Sequence, residues 1–356
     1  MIKQKIKGRG AQLNPKNRFE KLHVENFEYD QDTAEEEFDQ PKKIKTIFYK
    51  DDSKSIIAKN DSEDVGFDYS INPYRGCEHG CIYCYARPTH EFIGFSSGLD
   101  FESKIMVKED APKILEHELK KKSYIPKLLM FSGNTDCYQP IEKKLKLTRE
   151  LLKVCLEFRN PVSIITKNSL IERDIDILIQ LAEKKLVTVT LSITSLDKNL
   201  AHKMEPRTST PEMRFNTINK LSGNNIPTGV NVAPIIPGLN DKEIPEILQT
   251  ASQFGAIHAG YIMLRLPFSV KEIFINWIKK EFPDRANKIL NNIRNMRDGK
   301  LNNSEFGERF SGKGELADTI KNLFDISCRK YQLNKRPYKL STEYFRGYAN
   351  KQIELF

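Results

Sequence analysis

Three cysteines lie within eight residues in the stretch NPYRGCEHGCIYCYARP, which covers residues 72–88. Cys77, Cys81 and Cys84 have the spacing C-x₃-C-x₂-C, and Tyr83 directly precedes the last of them. Thiolates this close together can hold one face of a cubane iron–sulfur cluster, and a fully closed 4Fe–4S site uses four cysteines. Three local ligands therefore leave one iron with a free position, which a catalytic metal site keeps for its substrate.

A zinc site is the alternative interpretation of the same cysteines. His79, His90 or a distant cysteine would supply its fourth ligand. Zinc motifs usually contain a second pair of ligands downstream, and no second cysteine pair follows in this sequence. The spacing therefore favours the iron–sulfur cluster.

The motif C-x₃-C-x-Tyr-Cys resembles the signature of radical S-adenosylmethionine (radical SAM) enzymes. Residues 76–88 are similar to the spore photoproduct lyase-like, or DNA repair photolyase-like, group, and the resemblance covers about residues 65–340. It implies that the three cysteines bind a 4Fe–4S cluster whose open iron binds SAM. One electron from the cluster then cleaves SAM, and the resulting 5′-deoxyadenosyl radical abstracts a hydrogen atom. The resemblance also implies an electron donor such as flavodoxin or ferredoxin.

The resemblance further implies that SAM is bound by residues at the ends of successive strands. These expected cofactor-binding residues are Tyr83, Ser132, Asn134, Asp136, Lys167, Ser192, Asn231 and Ala233. Lys167 would pair with the cofactor's carboxylate as a point charge. For the segment SGNTD, residues 132–136, an ordinary strand-to-helix turn capped by Asp136 is the alternative. Tyr83 also has a simpler role available, which is to shield the cluster from water.

Tyr85 and Cys137 are the candidate catalytic residues. Tyr85 matches a tyrosine that the lyase-like group uses near the cofactor, where shielding of the cluster is the alternative role. In spore photoproduct lyase a hydrogen-donating cysteine lies shortly before the aspartate of the second strand, whereas this chain has Gly133 and Asn134 there. Cys137 comes just after Asp136, so it is either a displaced donor or a small buried hydrophobe. This difference weakens the expectation of spore photoproduct cleavage.

Two arginine positions leave their roles open. The segment Glu205-Pro206-Arg207, with Arg214 nearby, is compatible with a ligand-binding arginine or with a buried Glu–Arg pair that braces the rim of the barrel. Arg265 lies at the end of the last predicted strand, where it either faces the substrate or serves as a structural charge at the rim of the barrel.

Composition limits the class of protein. The 356 residues suffice for one large α/β domain with appendages, and the scattered Cys137, Cys155 and Cys328 do not form a disulfide framework. No apolar signal segment or membrane span is visible, so we expect a cytoplasmic protein without a membrane partner. The net charge of +9 gives modest support to DNA or another nucleic acid as a partner.

Alternating strands and amphipathic helices predict βαβ units and a partial (β/α)₆ TIM-type barrel. We expect an irregular N-terminal arm (1–60), a radical SAM core barrel (61–268) and a helical C-terminal extension (269–356). The predicted strands are 45–50, 67–72, 105–107, 127–133, 161–168, 186–194, 226–238 and 259–267. The predicted helices are 111–122, 145–158, 173–184, 211–222, 244–254, 270–280, 283–296 and 315–331.

The leading functional hypothesis is a radical SAM enzyme that acts on DNA lesions. Modification of RNA, protein or a metabolite is the alternative within the same class. Outside that class stand a non-catalytic nucleic-acid-binding module with a metal staple and a cluster-bearing scaffold without turnover. No second cysteine cluster is present, which argues against the radical SAM groups that need auxiliary clusters.

Overall fold

A seven-stranded sheet and a smaller three-stranded sheet organise the chain. We analysed a computed structural model, which describes residues 6–19 and 44–347. The strands are β1 (Ile47–Lys50), β2 (Ile57–Lys59), β3 (Tyr69–Ile71), β4 (Tyr74–Arg75), β5 (Lys104–Val107), β6 (Leu129–Phe131), β7 (Val162–Thr166), β8 (Val187–Ser192), β9 (Thr228–Ile235) and β10 (His258–Met263).

The large sheet has the order β10-β9-β8-β7-β6-β3-β2. Its strands from β3 to β10 pair in parallel, and only β2 runs antiparallel at the edge. The sheet stays open, because β10 and β2 lie at opposite edges. This arrangement confirms the predicted partial barrel of six parallel strands.

Helices connect the parallel strands and cover the sheet. They are α1 (Leu99–Ser103), α2 (Ala111–Leu119), α3 (Glu142–Leu145), α4 (Leu147–Glu157), α5 (Ile175–Glu183), α6 (Lys198–Met204), α7 (Pro211–Gly223), α8 (Ile244–Gln253), α9 (Val270–Glu281), α10 (Pro283–Asn295) and α11 (Glu315–Lys330). Helix α7 shows a typical start, since the Thr210 hydroxyl accepts a hydrogen bond from the Met213 amide and Pro211 occupies the first turn. Each of α4, α5 and α8 buries one apolar stripe.

The main core lies between this sheet and its helices. In β8, Val187, Val189 and Leu191 are fully buried, and Thr188 and Ser192 on the other face are buried as well. Burial on both faces is expected for a parallel sheet, which needs cover on each side. Helices α4, α5, α7 and α8 contribute their apolar stripes to the same core.

The C-terminal helices pack on two different parts of the molecule. Helices α9 and α10 form a second core with the cysteine loop, which includes Ile82 and Tyr83. Helix α11 packs on α8 instead. The extension therefore contacts both the back of the sheet and the segment expected to hold the cluster.

The described part of the N-terminal arm also packs on the cysteine loop. Gly10 lies against the backbone of Gly80 in that loop, and its amide donates to the Glu102 carboxylate at 3.0 Å. Residues 1–5 and 20–43 of the predicted arm, and residues 348–356 of the predicted extension, lie outside the described residues. Among the residues that are described, no helix is long and apolar enough to cross a membrane.

Candidate active site

The cysteine loop begins directly after β4 and ends at a 3-10 helix, Arg87–Ile93. Gly80 adopts φ +69°, in the left-handed region that favours glycine, and a Cβ atom there would lie 2.8 Å from the carboxylate of Glu102. The Cys77 amide donates to the carbonyl oxygen of Phe101 at 2.9 Å, and the Ile82 amide donates to that of Met204 at 3.0 Å. The loop is therefore fixed from two sides.

Arg87 is the internal anchor of this loop. Its side chain is fully buried, and its Nε and Nη2 atoms donate to the Cys81 carbonyl oxygen at 3.0 and 2.8 Å. The same guanidinium donates to the Gly98 carbonyl oxygen at 2.9 Å and forms an ion pair with the buried Glu102. A planar guanidinium with five donors can satisfy all these acceptors at once, so Arg87 positions the backbone at the central cysteine.

The three thiols have the chemistry that a soft metal cluster needs. Cys77 and Cys81 are buried and Cys84 is half-buried. Burial is the largest cause that raises the pKa of each thiol, and the carboxylates of Asp136 and Glu205 add to the effect at Cys77 and Cys81 respectively. A neutral thiol loses its proton when a metal coordinates it, so this donor set fits an iron–sulfur cluster.

The three thiols do not form a site for a single metal ion. Among residues 6–19 and 44–347, no three Cys, His, Asp or Glu side chains are grouped closely enough to hold one metal ion. In a cubane cluster each cysteine binds a different iron atom, so its ligands need not converge on one point. The spacing of the three thiols is therefore compatible with the cluster.

The turn after β6 forms the next wall of the site. Ser132 adopts φ +68°, which is uncommon for a residue other than glycine. The side-chain oxygen of Asn72 accepts from the amides of Asn134 and Thr135 at 2.8 and 3.2 Å. Asn72 thus ties this turn to the connection between β3 and β4, just before the cysteine loop, and sequence analysis gave no signal for that role.

Asp136 connects three segments of the site. One carboxylate oxygen accepts from the Thr166 hydroxyl at 2.8 Å, and the other accepts from the Lys167 amide at 2.9 Å. The second oxygen also lies 3.4 Å from Nδ1 of His79. Burial opposes ionisation, but His79 and the hydrogen bonds outweigh it, so the pKa of Asp136 lies below its usual value. This geometry gives Asp136 a positioning role, and its contact with SAM stays a prediction.

Glu205 is a buried carboxylate that organises the opposite wall. It accepts hydrogen bonds from the hydroxyls of Tyr83 and Thr194, and it forms ion pairs with Arg214 and with Lys167, whose Nζ lies 3.3 Å away. Burial opposes its ionisation, but the two cations outweigh it and hold the pKa of Glu205 below its usual value. Glu205 and Arg214 therefore form the buried pair that was one of the two expectations.

One pocket brings nearly all the predicted site residues together. Tyr83, Tyr85, Ser132, Asn134, Asp136, Lys167, Ser192, Asn231, Ala233 and the three cysteines line it, and so do His79, Thr135, Thr166 and Arg265. The Lys167 ammonium donates to the Ala233 carbonyl oxygen at 3.1 Å, so it already bridges two strand ends. The Tyr85 hydroxyl donates to the Gly133 carbonyl oxygen at 2.7 Å. The individual cofactor roles of these residues stay predictions.

Cys137 is the exception among the predicted site residues. It is fully buried in the main core and does not line the pocket. Its amide donates to the Ser132 hydroxyl at 2.9 Å, and its carbonyl oxygen accepts from the Thr148 hydroxyl. The structure therefore buries Cys137 away from the pocket, and the choice between a displaced donor and a small buried hydrophobe stays a prediction.

Comparison with known proteins agrees with this site. The family model described as "Radical SAM superfamily" matches residues 71–251, about half of the chain and all three clustered cysteines. The protein therefore belongs to the radical SAM superfamily. Members of this superfamily bind a 4Fe–4S cluster and SAM, and Cys77, Cys81 and Cys84 are the residues that would hold the cluster in this chain.

Related sequences and structures extend the comparison. An uncharacterised protein of Mycobacterium bovis is 32% identical over 224 residues, which are 62% of this chain and 66% of that protein. One of Methanocaldococcus jannaschii is 34% identical over 184 residues, or 52% of this chain and 66% of that protein. The matches thus span just under two thirds of these relatives.

Among solved structures, spore photoproduct lyase with a dinucleoside spore photoproduct has a TM-score of 0.57 at 18% identity, covering 77% of this chain and 76% of that one. A mutant of that lyase with bound AdoMet and the same dinucleoside gives the same values. At this level of identity the likeness shows the fold alone.

Proposed function

We propose that this protein is a radical SAM enzyme that cleaves SAM reductively and acts on a lesion in DNA. The observation that carries the proposal is the single pocket shared by Cys77, Cys81, Cys84 and the strand-end residues Lys167 and Asn231. A binding module with a metal staple would not need polar side chains from successive strands around its metal. When bound, the cluster supplies the electron that cleaves SAM to the 5′-deoxyadenosyl radical.

The residues of this chain have distinct tasks in that reaction. Arg87 and the backbone of Phe101 hold the cysteine loop, and Asp136 fixes the ends of β6 and β7 relative to it. Glu205 pairs with Lys167 and orients its ammonium at the wall of the pocket, where it would bind the carboxylate of SAM. Buried apolar groups such as Met263 line the same pocket and limit the access of water.

Two observations support DNA as the substrate. The fold is similar to that of spore photoproduct lyase, which has been solved with a dinucleoside spore photoproduct. The chain also carries a net charge of +9, which favours polyanionic partners.

One observation favours the second candidate, which is radical modification of another substrate such as RNA, a protein or a metabolite. Cys137 lies in the core, so the cysteines among the described residues that line the pocket are the three expected to hold the cluster. A lyase that depends on a separate cysteine donor would lack that group here. Tyr85 is then the candidate that remains for hydrogen-atom transfer.

Anaerobic reconstitution with iron, sulfide and a reductant tests the class of enzyme. We expect about four irons per chain, an electron paramagnetic resonance signal that shifts when SAM is added, and release of 5′-deoxyadenosine. Cys81→Ala should abolish all three, whereas Cys155→Ala, at a buried position of α4, should retain them. One tightly bound zinc without iron uptake would contradict the proposal.

A second assay tests the substrate. Ultraviolet-irradiated and unirradiated DNA are compared for turnover by the reconstituted protein. We expect damage-dependent loss of the lesion together with formation of 5′-deoxyadenosine. Equal results with both DNAs would reject the lesion as the substrate and favour the second candidate.

A further inference from the structure

Arg265 is a cation in the active-site pocket without an ion-pair partner in the described part of the chain. It follows β10, the last strand of the sheet, and it lines the same pocket as the cysteines. Its Nε atom is buried and makes no hydrogen bond in the structure. Lys167, by contrast, is paired with Glu205. A buried guanidinium donor without an acceptor is costly, so this position favours an anionic ligand.

Two further arginines surround Arg265 and increase the positive charge. Arg297 is buried, with its Nη1 atom also unpartnered, and its Nη2 atom donates to the Leu264 carbonyl oxygen at 2.7 Å. Arg309 forms an ion pair with Asp64. Burial, with repulsion from Arg309 added, lowers the pKa of Arg265, and burial together with repulsion from Arg265 lowers the pKa of Arg297. Asp64 is the carboxylate that acts on Arg265, so an excess positive charge remains.

Aromatic rings alternate with these arginines. The Arg265 guanidinium lies 5.7 Å from the ring centroid of Tyr85 and 4.9 Å from that of Phe310. Arg309 lies 4.9 Å from the same Phe310 ring and 4.8 Å from Phe306. We call this series, Tyr85–Arg265–Phe310–Arg309–Phe306, the arginine–aromatic ladder. Cation–π contacts of this length hold each guanidinium in place without neutralising its charge.

The ladder connects the pocket with the protein surface. Tyr85 follows Cys84 in the chain and lines the pocket, whereas Phe306 at the other end is 59% exposed. Tyr85 is itself 45% exposed. Grooves that bind single-stranded nucleic acid combine basic groups for the backbone with aromatic rings on which bases stack. A small carboxylate ligand would form ion pairs with these arginines but would make no contact with the exposed aromatic rings.

We propose that the arginine–aromatic ladder is a subsite for a single-stranded phosphodiester segment of the substrate, with Arg265 binding a phosphate group beside the reaction pocket. This inference rests on the proposed function, because it names the part of the nucleic acid that the same pocket receives. The phosphate group is the anion that would pair with the excess positive charge of the arginines, and neither the cluster nor SAM provides it.

Binding of fluorescein-labelled hexathymidylate to the reconstituted, SAM-loaded protein tests the subsite, with fluorescence anisotropy as the readout. We expect Arg265→Gln to weaken binding about tenfold and to reduce the salt slope by about 0.7, the value for one phosphate contact on a single strand. Phe306→Ala should weaken binding about fivefold through lost stacking. The matched controls are Arg329→Gln and Phe92→Ala, which change an exposed arginine and an exposed phenylalanine outside the ladder. They should stay within twofold of the unaltered protein.

Several outcomes would overturn the inference. The first is that the unaltered protein does not bind hexathymidylate. The second is that the control variants weaken binding as much as the ladder variants do. The third is that free glutamate competes with hexathymidylate as strongly as inorganic phosphate does. Arg265→Lys keeps the charge and should recover most of the binding, which separates the loss of a contact from misfolding. If Arg265→Gln loses the SAM-induced spectroscopic shift while hexathymidylate binding is unchanged, Arg265 serves SAM and the subsite is rejected.

The result is separable from the test of the proposed function. Arg265-dependent binding without turnover of irradiated DNA would reject the lesion chemistry and keep the subsite. Turnover of irradiated DNA that is equal in Arg265→Gln and the unaltered protein would reject the subsite and keep the function.

Discussion

Gly10 of the N-terminal arm and Gly80 of the cysteine loop are in direct backbone contact. A Cβ atom on Gly10 would lie 1.7 Å from the Gly80 carbonyl oxygen, a distance that no packing adjustment of side chains can relieve. The amides of Gly10 and Ala11 both donate to the buried carboxylate of Glu102, at 3.0 and 2.7 Å. The same carboxylate pairs with Arg87, so the arm and the loop share one anchor.

Gly10→Ala should therefore detach the arm from the cysteine loop. We expect the free energy of unfolding to fall by about 1–3 kcal/mol, as is usual for overpacking, and the reconstituted cluster to bleach faster in air. Urea denaturation and the decay of cluster absorbance measure the two effects. Gly66→Ala is the matched control, because nothing lies within 4 Å of its added Cβ atom. Equal bleaching rates in both variants would show that the arm does not protect the loop.

Glu205→Gln tests the carboxylate that holds Lys167 and Arg214. The change leaves two cations next to each other in a buried site. Removing one partner of a buried ion pair lowers the free energy of unfolding by about 3–5 kcal/mol. Urea denaturation measures this loss. The control is Glu212→Gln, since Glu212 pairs with Lys198 at the surface and should cost less than about 1 kcal/mol.

A second readout separates the positioning role of Glu205 from mere stability. At a temperature where Glu205→Gln is still folded, the concentration of SAM needed for the spectroscopic shift should rise several-fold. An unchanged SAM requirement would mean that Glu205 braces the fold without orienting Lys167.

The sequence allowed the parallel series of strands to be predicted because each strand is followed by a helix with one apolar stripe. It did not allow the three-stranded sheet to be predicted, in which β5 pairs with both β1 and β4. These strands are two to four residues long, and their pairing joins segments far apart in the chain. Short strands with weak periodicity do not reveal their partners.

The site was predictable to the extent that it follows from strand ends. Lys167, Ser192 and Asn231 share one pocket because the carboxyl ends of parallel strands meet at the same edge. The contact of Arg265 with Phe310 depends instead on how the chain returns after α10, and no pattern in residues 297–314 indicates that path. Similarly, the anchoring role of Arg87 depends on carbonyl groups that only the folded loop brings together.

Cys137→Ala should leave radical chemistry intact. Cys137 is fully buried in the main core and absent from the pocket lining, so it cannot donate to a substrate there without a rearrangement. We expect unchanged release of 5′-deoxyadenosine and a loss of about 1 kcal/mol in the free energy of unfolding from the small cavity. Cys155→Ala, equally buried in α4, is the matched control and should behave alike. Loss of turnover in Cys137→Ala alone would restore it as a hydrogen donor.

His90 should make the protein less stable between pH 6.5 and pH 4. Burial lowers the pKa of His90 to about 4, and its ring lies 5.4 Å from both Phe95 and Phe101, with Nδ1 lacking a hydrogen-bond partner. The unfolded chain takes up a proton near pH 6.5, whereas the folded chain does so only near pH 4, so stability is complete above pH 6.5 and falls as the pH drops. The loss amounts to at most about 3 kcal/mol, and His258, whose pKa is also lowered by burial, acts in the same direction.

His90→Phe keeps an aromatic ring but cannot titrate, so urea denaturation across this range should show a shallower pH dependence than in the exposed control His117→Gln. The same dependence in both variants would show that His90 is not the group responsible.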